Sequence, residues 1–289
     1  MTGFVELIRL RQWVKNGFVL APLFFGKDLF HRAAVAHALA ALAAFCLASS
    51  AVYIFNDWRD MEADRVHLVK RHRPLPSGRI SVPMALITLV LLLAGAAGII
   101  VLGGLPANFW LIIGLYLALN LGYSLGLKQV TIVELLLVSS GFVLRLLAGG
   151  VALAVPLSQW IVIATGTIAL LITTGKRRGD IAQKNDSQMA RKSLAGYNLA
   201  YLDGVLAALT GATFVVFLLF CASDYAVGRY GPNILITAIP VAAGLMRYLQ
   251  LIIVYGDGDS PSDLVLRDKG LLAAVTVFIA IFAVLLYLR

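Results

Sequence analysis

Long apolar runs alternate with short polar segments along the whole chain. A helix needs about 20 mostly apolar residues to cross a bilayer. Nine runs approach or reach that length: 15–30, 34–57, 81–102, 107–124, 130–153, 158–176, 199–222, 232–255 and 270–288. The first is the most interrupted, with Lys15, Asn16 and Pro22 inside it. Such breaks are tolerated where neighbouring helices satisfy the backbone. The pattern predicts an all-α polytopic membrane protein, a bundle of nine transmembrane helices forming one integral membrane domain over residues 1–289.

Composition agrees. Sixty per cent of the 289 residues are hydrophobic and 13% are charged, against about 45–50% and about 25% in soluble domains. Lipid therefore replaces water as the solvent of the outer surface. A net charge of +9 raises the question of nucleic acid, but the placement of the charge argues against it. With the N-terminus in the cytoplasm, 18 of the 24 Lys and Arg residues fall on the cytoplasmic side and 4 on the other, with Arg145 and Arg247 inside spans. That is the positive-inside bias. It predicts a multi-pass protein of the cell inner (plasma) membrane whose N-terminus and two charged loops, 58–80 and 176–192, are cytoplasmic. Glu6, Arg9 and Arg11 interrupt any apolar core of a cleavable leader. Cys46 and Cys221 lie in apolar runs, and His31, His37, His67 and His72 have no ligand spacing, so a zinc site is not expected.

Positive-inside bias does not account for the acids in those loops. In NDWRDMEAD, Asn56, Asp60 and Asp64 stand at i, i+4 and i+8 and share one helical face. Oxygen donors so arranged suit Mg²⁺, which binds a few carboxylates together with substrate phosphates. The plain alternative is a solvated helix end salt-bridged to Arg59 and Arg65. Lys70, Arg71, His72 and Arg73 follow, in a turn made by Pro74, Pro76 and Gly78. Guanidinium forks and ammonium groups bind phosphate. Acids beside bases predict a Mg²⁺–diphosphate substrate. A similar polar end, LITTGKRRGDIAQKND, recurs about 120 residues on, as in a weak internal repeat. A transporter would place its polar groups near the midplane. Here they gather at the boundary, which predicts an enzyme with a cytoplasmic-side active-site cavity.

These features resemble the UbiA-type polyprenyl transferase superfamily over nearly the whole chain. Residues 56–64 match its first aspartate motif, NDxxDxxxD, and Arg73-Pro74 to Gly78 match the basic segment after it. The second motif, DxxxD, departs: Asp180 is followed four positions on by Lys184 and preceded by Lys176-Arg177-Arg178-Gly179. One carboxylate fewer and more cations suit a donor with more phosphate charge. Gln12-Trp13-Val14-Lys15-Asn16, Tyr123-Ser124 with Lys128, Gly141 to Arg145, and Arg191-Lys192-Ser193-Leu194 with Tyr197 are similar to the decaprenyl-phosphate phosphoribosyltransferase branch.

The resemblance implies Mg²⁺-dependent transfer of 5-phosphoribosyl from phosphoribosyl pyrophosphate to a polyprenyl (decaprenyl) phosphate. Prenyl transfer from a polyprenyl diphosphate to a small aromatic acceptor is the alternative. The implied metal set is Asn56, Asp60 and Asp64, and the implied catalytic acids are Asp60, Asp64 and Asp180. The implied substrate contacts are Lys15, Asn56, Lys70, Arg73, Tyr123, Lys128, Arg145, Lys176, Arg177 and Tyr197. Arg145, inside an apolar span, costs about 2.5–3.5 kcal/mol on insertion scales and should face the interior. It is read either as a phosphate contact or as a structural partner of Glu134 or a backbone carbonyl. Arg247 is read as structural, and the segment from Asp257 to Asp268 as a plain loop. The sequence leaves open a homo-oligomer and gives no nucleic-acid partner.

Overall fold

The computed structural model describes residues 2–182, 192–257, 264 and 267–287. Among them the chain is helical throughout, with 3-10 and π segments and no strand. Among the described residues, seven helices are long and apolar enough to cross a membrane: Arg32–Arg59, Val82–Leu102, Ala107–Leu125, Val133–Ala152, Leu199–Ala222, Pro232–Val254 and Lys269–Tyr287. Two of the nine predicted segments fall outside these seven. Residues 15–25 form the second half of a 3-10 helix, Leu10–Leu20, and a short α-helix, Ala21–Phe25, and residues 26–30 are not helical. The segment from 158 lies in Gln159–Ala182, a 24-residue helix whose last two turns carry Lys176, Arg177, Arg178 and Asp180. Lys184, Arg191, Gly258, Asp259 and Arg289 lie outside the described residues.

The chain divides into two compact units, the first Met1–Leu137 with Gly141–Leu157 and the second Val138–Ser140 with Ser158–Arg289. The first contains α1 (Thr2–Leu7), the 3-10 segment Leu10–Leu20, α2 (Ala21–Phe25), α3 (Arg32–Arg59), α4 (Met61–Arg65), α5 (Val82–Leu102), α6 (Ala107–Leu125) and most of α7 (Val133–Ala152). Its core packs Ala41, Ala44 and Ala48 of α3 against Ala96 and Ile100 of α5, with Phe45, Phe109 and Tyr116 filling the remaining volume. Small residues let membrane helices approach closely, where lipid offers no hydrophobic drive to associate. Gly149 of α7 serves the same end, since a Cβ there would collide with the Val19 carbonyl oxygen and lie 2.9 Å from its carbon. The large apolar side chains Leu91, Leu102 and Leu111 stay exposed, as a lipid-facing surface requires.

The second unit contains α8 (Gln159–Ala182), α9 (Leu199–Ala222), α10 (Asp224–Tyr230), α11 (Ala238–Leu249) continued by a π-helical turn (Gln250–Val254), and α12 (Lys269–Tyr287). Leu171 of α8, Leu206 of α9, Tyr248, Leu251 and Ile252 of α11 and its π turn, and Leu271 of α12 form its core. Gly175 lets α8 meet α11, because a Cβ there would run into the Tyr248 ring. Each unit thus has a long helix, α3 or α8, that ends in a charged run.

Candidate active site

Helix α3 stops at Arg59, and Asp60 joins it to α4 with ψ near 1°. The backbone bonds Asp60 N to Asn56 O (2.9 Å) and Asp64 N to Asp60 O (2.8 Å) survive the bend. The acids therefore stay on consecutive turns, but they do not form one uniform stripe. Asn56 Nδ2 donates to Asp60 Oδ2 at 3.2 Å, and Ser124 Oγ of α6 donates to Asn56 Oδ1 at 3.2 Å. The other Asp60 oxygen, Oδ1, pairs with the Lys128 ammonium. Asp64 is buried and takes Arg73 at 2.6 Å, with Lys70 at 4.0 Å from its second oxygen.

The turn after α4 is held from below. Leu75 is buried and packs with Leu7, Ile54, Ile80 and Ala85. Ile80 N donates to Pro74 O at 3.1 Å, and Gly78 sits at φ +73, a conformation open to glycine. Arg79 bridges Glu6 (2.5 Å) and the His72 carbonyl, which ties the turn to α1 and holds the Glu6 carboxyl below its usual range. Anchored this way, Arg73 spans two acids, Asp64 and Asp57, the latter at 3.2 Å. Asp57 is 3% exposed and also pairs with Arg9. Burial, with Lys70 second, keeps His67 below its ordinary value, and its Nδ1 accepts from the Val69 and Lys70 amides.

The donor set suits a hard cation. Asn56 supplies an amide oxygen, Asp60 and Asp64 supply carboxylates, and each of the two acids faces a cation of the chain itself. No group of three or more His, Cys, Asp or Glu gathers as a ready metal cage among the described residues. Mg²⁺ does not require one, since it keeps waters and takes one or two carboxylates plus substrate phosphates. The residues fit Mg²⁺ carried with a phosphorylated substrate.

In the second unit, Arg177 donates to Asp180 at 2.6 Å, one turn along α8. Arg177 is buried and Lys176 is exposed. Tyr197 is buried and stacks on Tyr201, with centroids 6.1 Å apart. Arg178 pairs with Asp203 of α9 at 2.8 Å. Arg247 forms two bonds with Asp268 (3.1 and 2.7 Å), the structural pairing expected for it. The Arg247 bonds and the Leu271 amide hold Asp268 down to about 2.

Arg145 is held by groups other than the motif acids. Its Nε donates to Asn16 Oδ1 (2.7 Å), and its two terminal nitrogens donate to the Gly141 carbonyl (2.7 Å) and Tyr116 Oη (3.2 Å). The guanidinium also stacks near Phe45, Tyr116 and Phe142. The backbone-carbonyl partner is one of the two structural readings of Arg145; its other partners are Asn16 and Tyr116. Lys15 is half-buried on the 3-10 segment beside Asn16, and Tyr123 is half-buried next to Ser124.

Residues 19–267 match the profile of the UbiA prenyltransferase family. The chain belongs to that family. It is 37% identical to a decaprenyl-phosphate phosphoribosyltransferase of Corynebacterium glutamicum, over 98% of this chain and 86% of that protein. It is 35% identical to the Mycobacterium tuberculosis protein of the same name, over 97% and 93%. A UbiA homologue from Archaeoglobus fulgidus bound to DMAPP and Mg²⁺ superposes with a TM-score of 0.74 at 18% identity, covering 99% of this chain and 100% of that one. It shows that the fold is that of the UbiA proteins.

The sequence does not show the pairings of three residues in the UbiA motif region: Asp57, Arg9 and Ser124. Asp57 lies inside the motif but one residue off the i, i+4, i+8 face, so periodicity sets it aside. Its buried position between Arg9 and Arg73 makes it the anchor of the turn. Arg9 comes from 48 residues away, and no local pattern marks that pairing.

Proposed function

We propose that this chain transfers the 5-phosphoribosyl group of phosphoribosyl pyrophosphate to decaprenyl phosphate and releases pyrophosphate. The observation that carries this reading is the paired arrangement in the first unit: Asp60 with Lys128, and Asp64 with Arg73 and Lys70. It offers carboxylates for a metal and cations for phosphate within one cluster. Relatives of this name, matched over nearly their full length, supply the substrate identity.

Asn56, Asp60 and Asp64 would hold Mg²⁺, which when bound neutralises charge on the departing pyrophosphate. Lys128, Lys70 and Arg73 turn from the acids to the donor's phosphates, where fixed charges stabilise the leaving group. The ribose C1–O bond to pyrophosphate breaks through an oxocarbenium-like state as the lipid phosphate oxygen bonds C1. That phosphate is already anionic near neutral pH, so no side chain need remove a proton. Arg177 and Lys176 are assigned to the donor's 5-phosphate, and Asp180 to a ribose hydroxyl or a metal-bound water. Lys15, Tyr123 and Tyr197 remain assigned to substrate. Arg145 stays assigned to substrate as well: three bonds, to Asn16, Gly141 and Tyr116, hold its guanidinium in place, and a guanidinium carries five N–H donors.

The same reading places the protein in the plasma membrane as one domain of nine spans. The segment 15–30 and α8 join the seven long helices, and the N-terminus and both charged ends face the cytoplasm, where the site opens. The Lys and Arg asymmetry supports this orientation. The test is direct. Purified protein receives Mg²⁺, donor labelled in the ribose, and decaprenyl phosphate; the organic phase is then counted. Label in the organic phase is expected. No label, with prenyl transfer from a polyprenyl diphosphate to an aromatic acid instead, overturns the reading.

A further inference from the structure

Helix α11 does not end as an ordinary α-helix. Its last turn, Gln250–Val254, widens into a π turn in which Tyr255 N reaches back five residues to Gln250 O at 3.2 Å. Asp257 N then closes over it onto Leu251 O at 3.1 Å, with Gly256 between them at φ +68. This is a glycine-dependent C-terminal wrap, widened by the extra residue of the π turn. The next two carbonyls, Ile252 and Ile253, take their donors from another helix. Arg178 of α8 gives Nη1 to Ile252 O (2.9 Å) and Nη2 to Ile253 O (3.3 Å). Its Nε goes to Asp203 Oδ1 of α9 (2.8 Å). Arg178 is 8% exposed, so this is a desolvated guanidinium with three oriented acceptors.

A planar fork with five donors meets that demand, and a cation beside helix-end carbonyls opposes their partial negative charge. One side chain thus joins the end of α8 to α9 and to the π turn of α11. Arg177, its chain neighbour, is buried and paired with Asp180 on the same turn of α8. We propose that Arg178 is a positioning residue: by capping the π turn and binding Asp203, it fixes the end of α8 so that Arg177 and Asp180 keep the geometry that binds the donor. The proposal rests on the assignment of Arg177 to the donor made above.

Two readouts on the full-length protein in lipid nanodiscs test it together: hydrogen exchange of the peptide spanning 250–257, and the donor KM against kcat. For Arg178→Ala we expect exchange to rise by about tenfold and donor KM to rise by about tenfold, the scale of a lost charged hydrogen bond. We expect kcat to stay within about twofold, as for a loss of ground-state binding geometry. Arg178→Lys keeps the charge but not the fork, so both readouts should move the same way by less. It also carries the test if Arg178→Ala does not fold. A raised KM with unchanged exchange would mean that Arg178 acts on the donor directly and would overturn the proposal. Raised exchange with unchanged KM would leave a cap with no bearing on the donor, and would overturn it equally. A wild-type protein that does not turn over phosphoribosyl pyrophosphate defeats the functional reading and this proposal with it, and shows as much before any variant is made.

Discussion

The Lys128 ammonium pairs with Asp60 Oδ1 across 68 residues of sequence, and its side chain is 8% exposed. Lys128 stands on a 3-10 turn, Leu127–Gln129, preceded by Gly126 at φ +153. A cation with that little contact with water needs an anion beside it, and Asp60 supplies one.

Lys128→Met keeps the apolar stem and removes the charge. The donor gains nothing from the thioether, so kcat/KM for phosphoribosyl pyrophosphate should fall by about 10- to 100-fold, the scale of a charged hydrogen bond. Steady-state kinetics at fixed Mg²⁺ checks this. Unchanged kcat/KM would make Lys128 a structural partner of Asp60 and nothing more.

Arg145→Ala should damage stability rather than chemistry alone. It strands Asn16 Oδ1 and Tyr116 Oη, which the guanidinium now satisfies, inside the core of the first unit. Leaving a buried polar group unpaired costs about 1–3 kcal/mol. The expected result is a clear drop in thermal unfolding temperature in detergent. Full stability with lost turnover would make Arg145 a substrate contact with no structural role.

Much of this was legible in the chain because it depends on local spacing. The long apolar helices follow from run length, and the acids from a motif contained in nine residues. Spacing stops helping where partners come from afar. Arg9 reaches Asp57 over 48 positions, and Asn16 reaches Arg145 over 129. The segment 15–30 reads as an apolar run, but the structure gives the tighter 3-10 geometry up to Leu20, where residues rise about 2 Å each instead of 1.5. Hydropathy does not distinguish the two. The sequence counts Lys176, Arg177 and Arg178 alike as added cations, yet on a helix these residues point to different sides. Lys176 is exposed, Arg177 turns to Asp180, and Arg178 turns to α9 and α11.

Gly149→Ala should displace the N-terminal segment. The new Cβ meets the Val19 backbone, which cannot rotate away as a side chain could. Overpacking of this kind costs about 1–3 kcal/mol. Faster proteolysis near residues 10–25 and a lower unfolding temperature are expected; a variant with wild-type values would show that the 3-10 segment is free to move off α7.

Arg177→Ala separates the two ends of the donor. Arg177 is assigned to the 5-phosphate, so its loss should weaken phosphoribosyl pyrophosphate by about 10- to 100-fold. Inhibition by inorganic pyrophosphate should change far less, since that end is assigned to Lys70, Arg73 and Lys128. Competition assays with both ligands decide it. Equal weakening would move Arg177 to the pyrophosphate end.

In the proposed reaction the phosphate of the lipid attacks ribose C1 and pyrophosphate leaves intact. Decaprenyl phosphate carrying ¹⁸O on its phosphate, incubated with phosphoribosyl pyrophosphate, Mg²⁺ and the purified protein, tests it by mass spectrometry of both products. Expected are a phosphoribosylated lipid that retains all the label, one unlabelled pyrophosphate released per product, and neither product from Asp60→Asn. A lipid with no phosphoribosyl group, or label in the pyrophosphate, would contradict it.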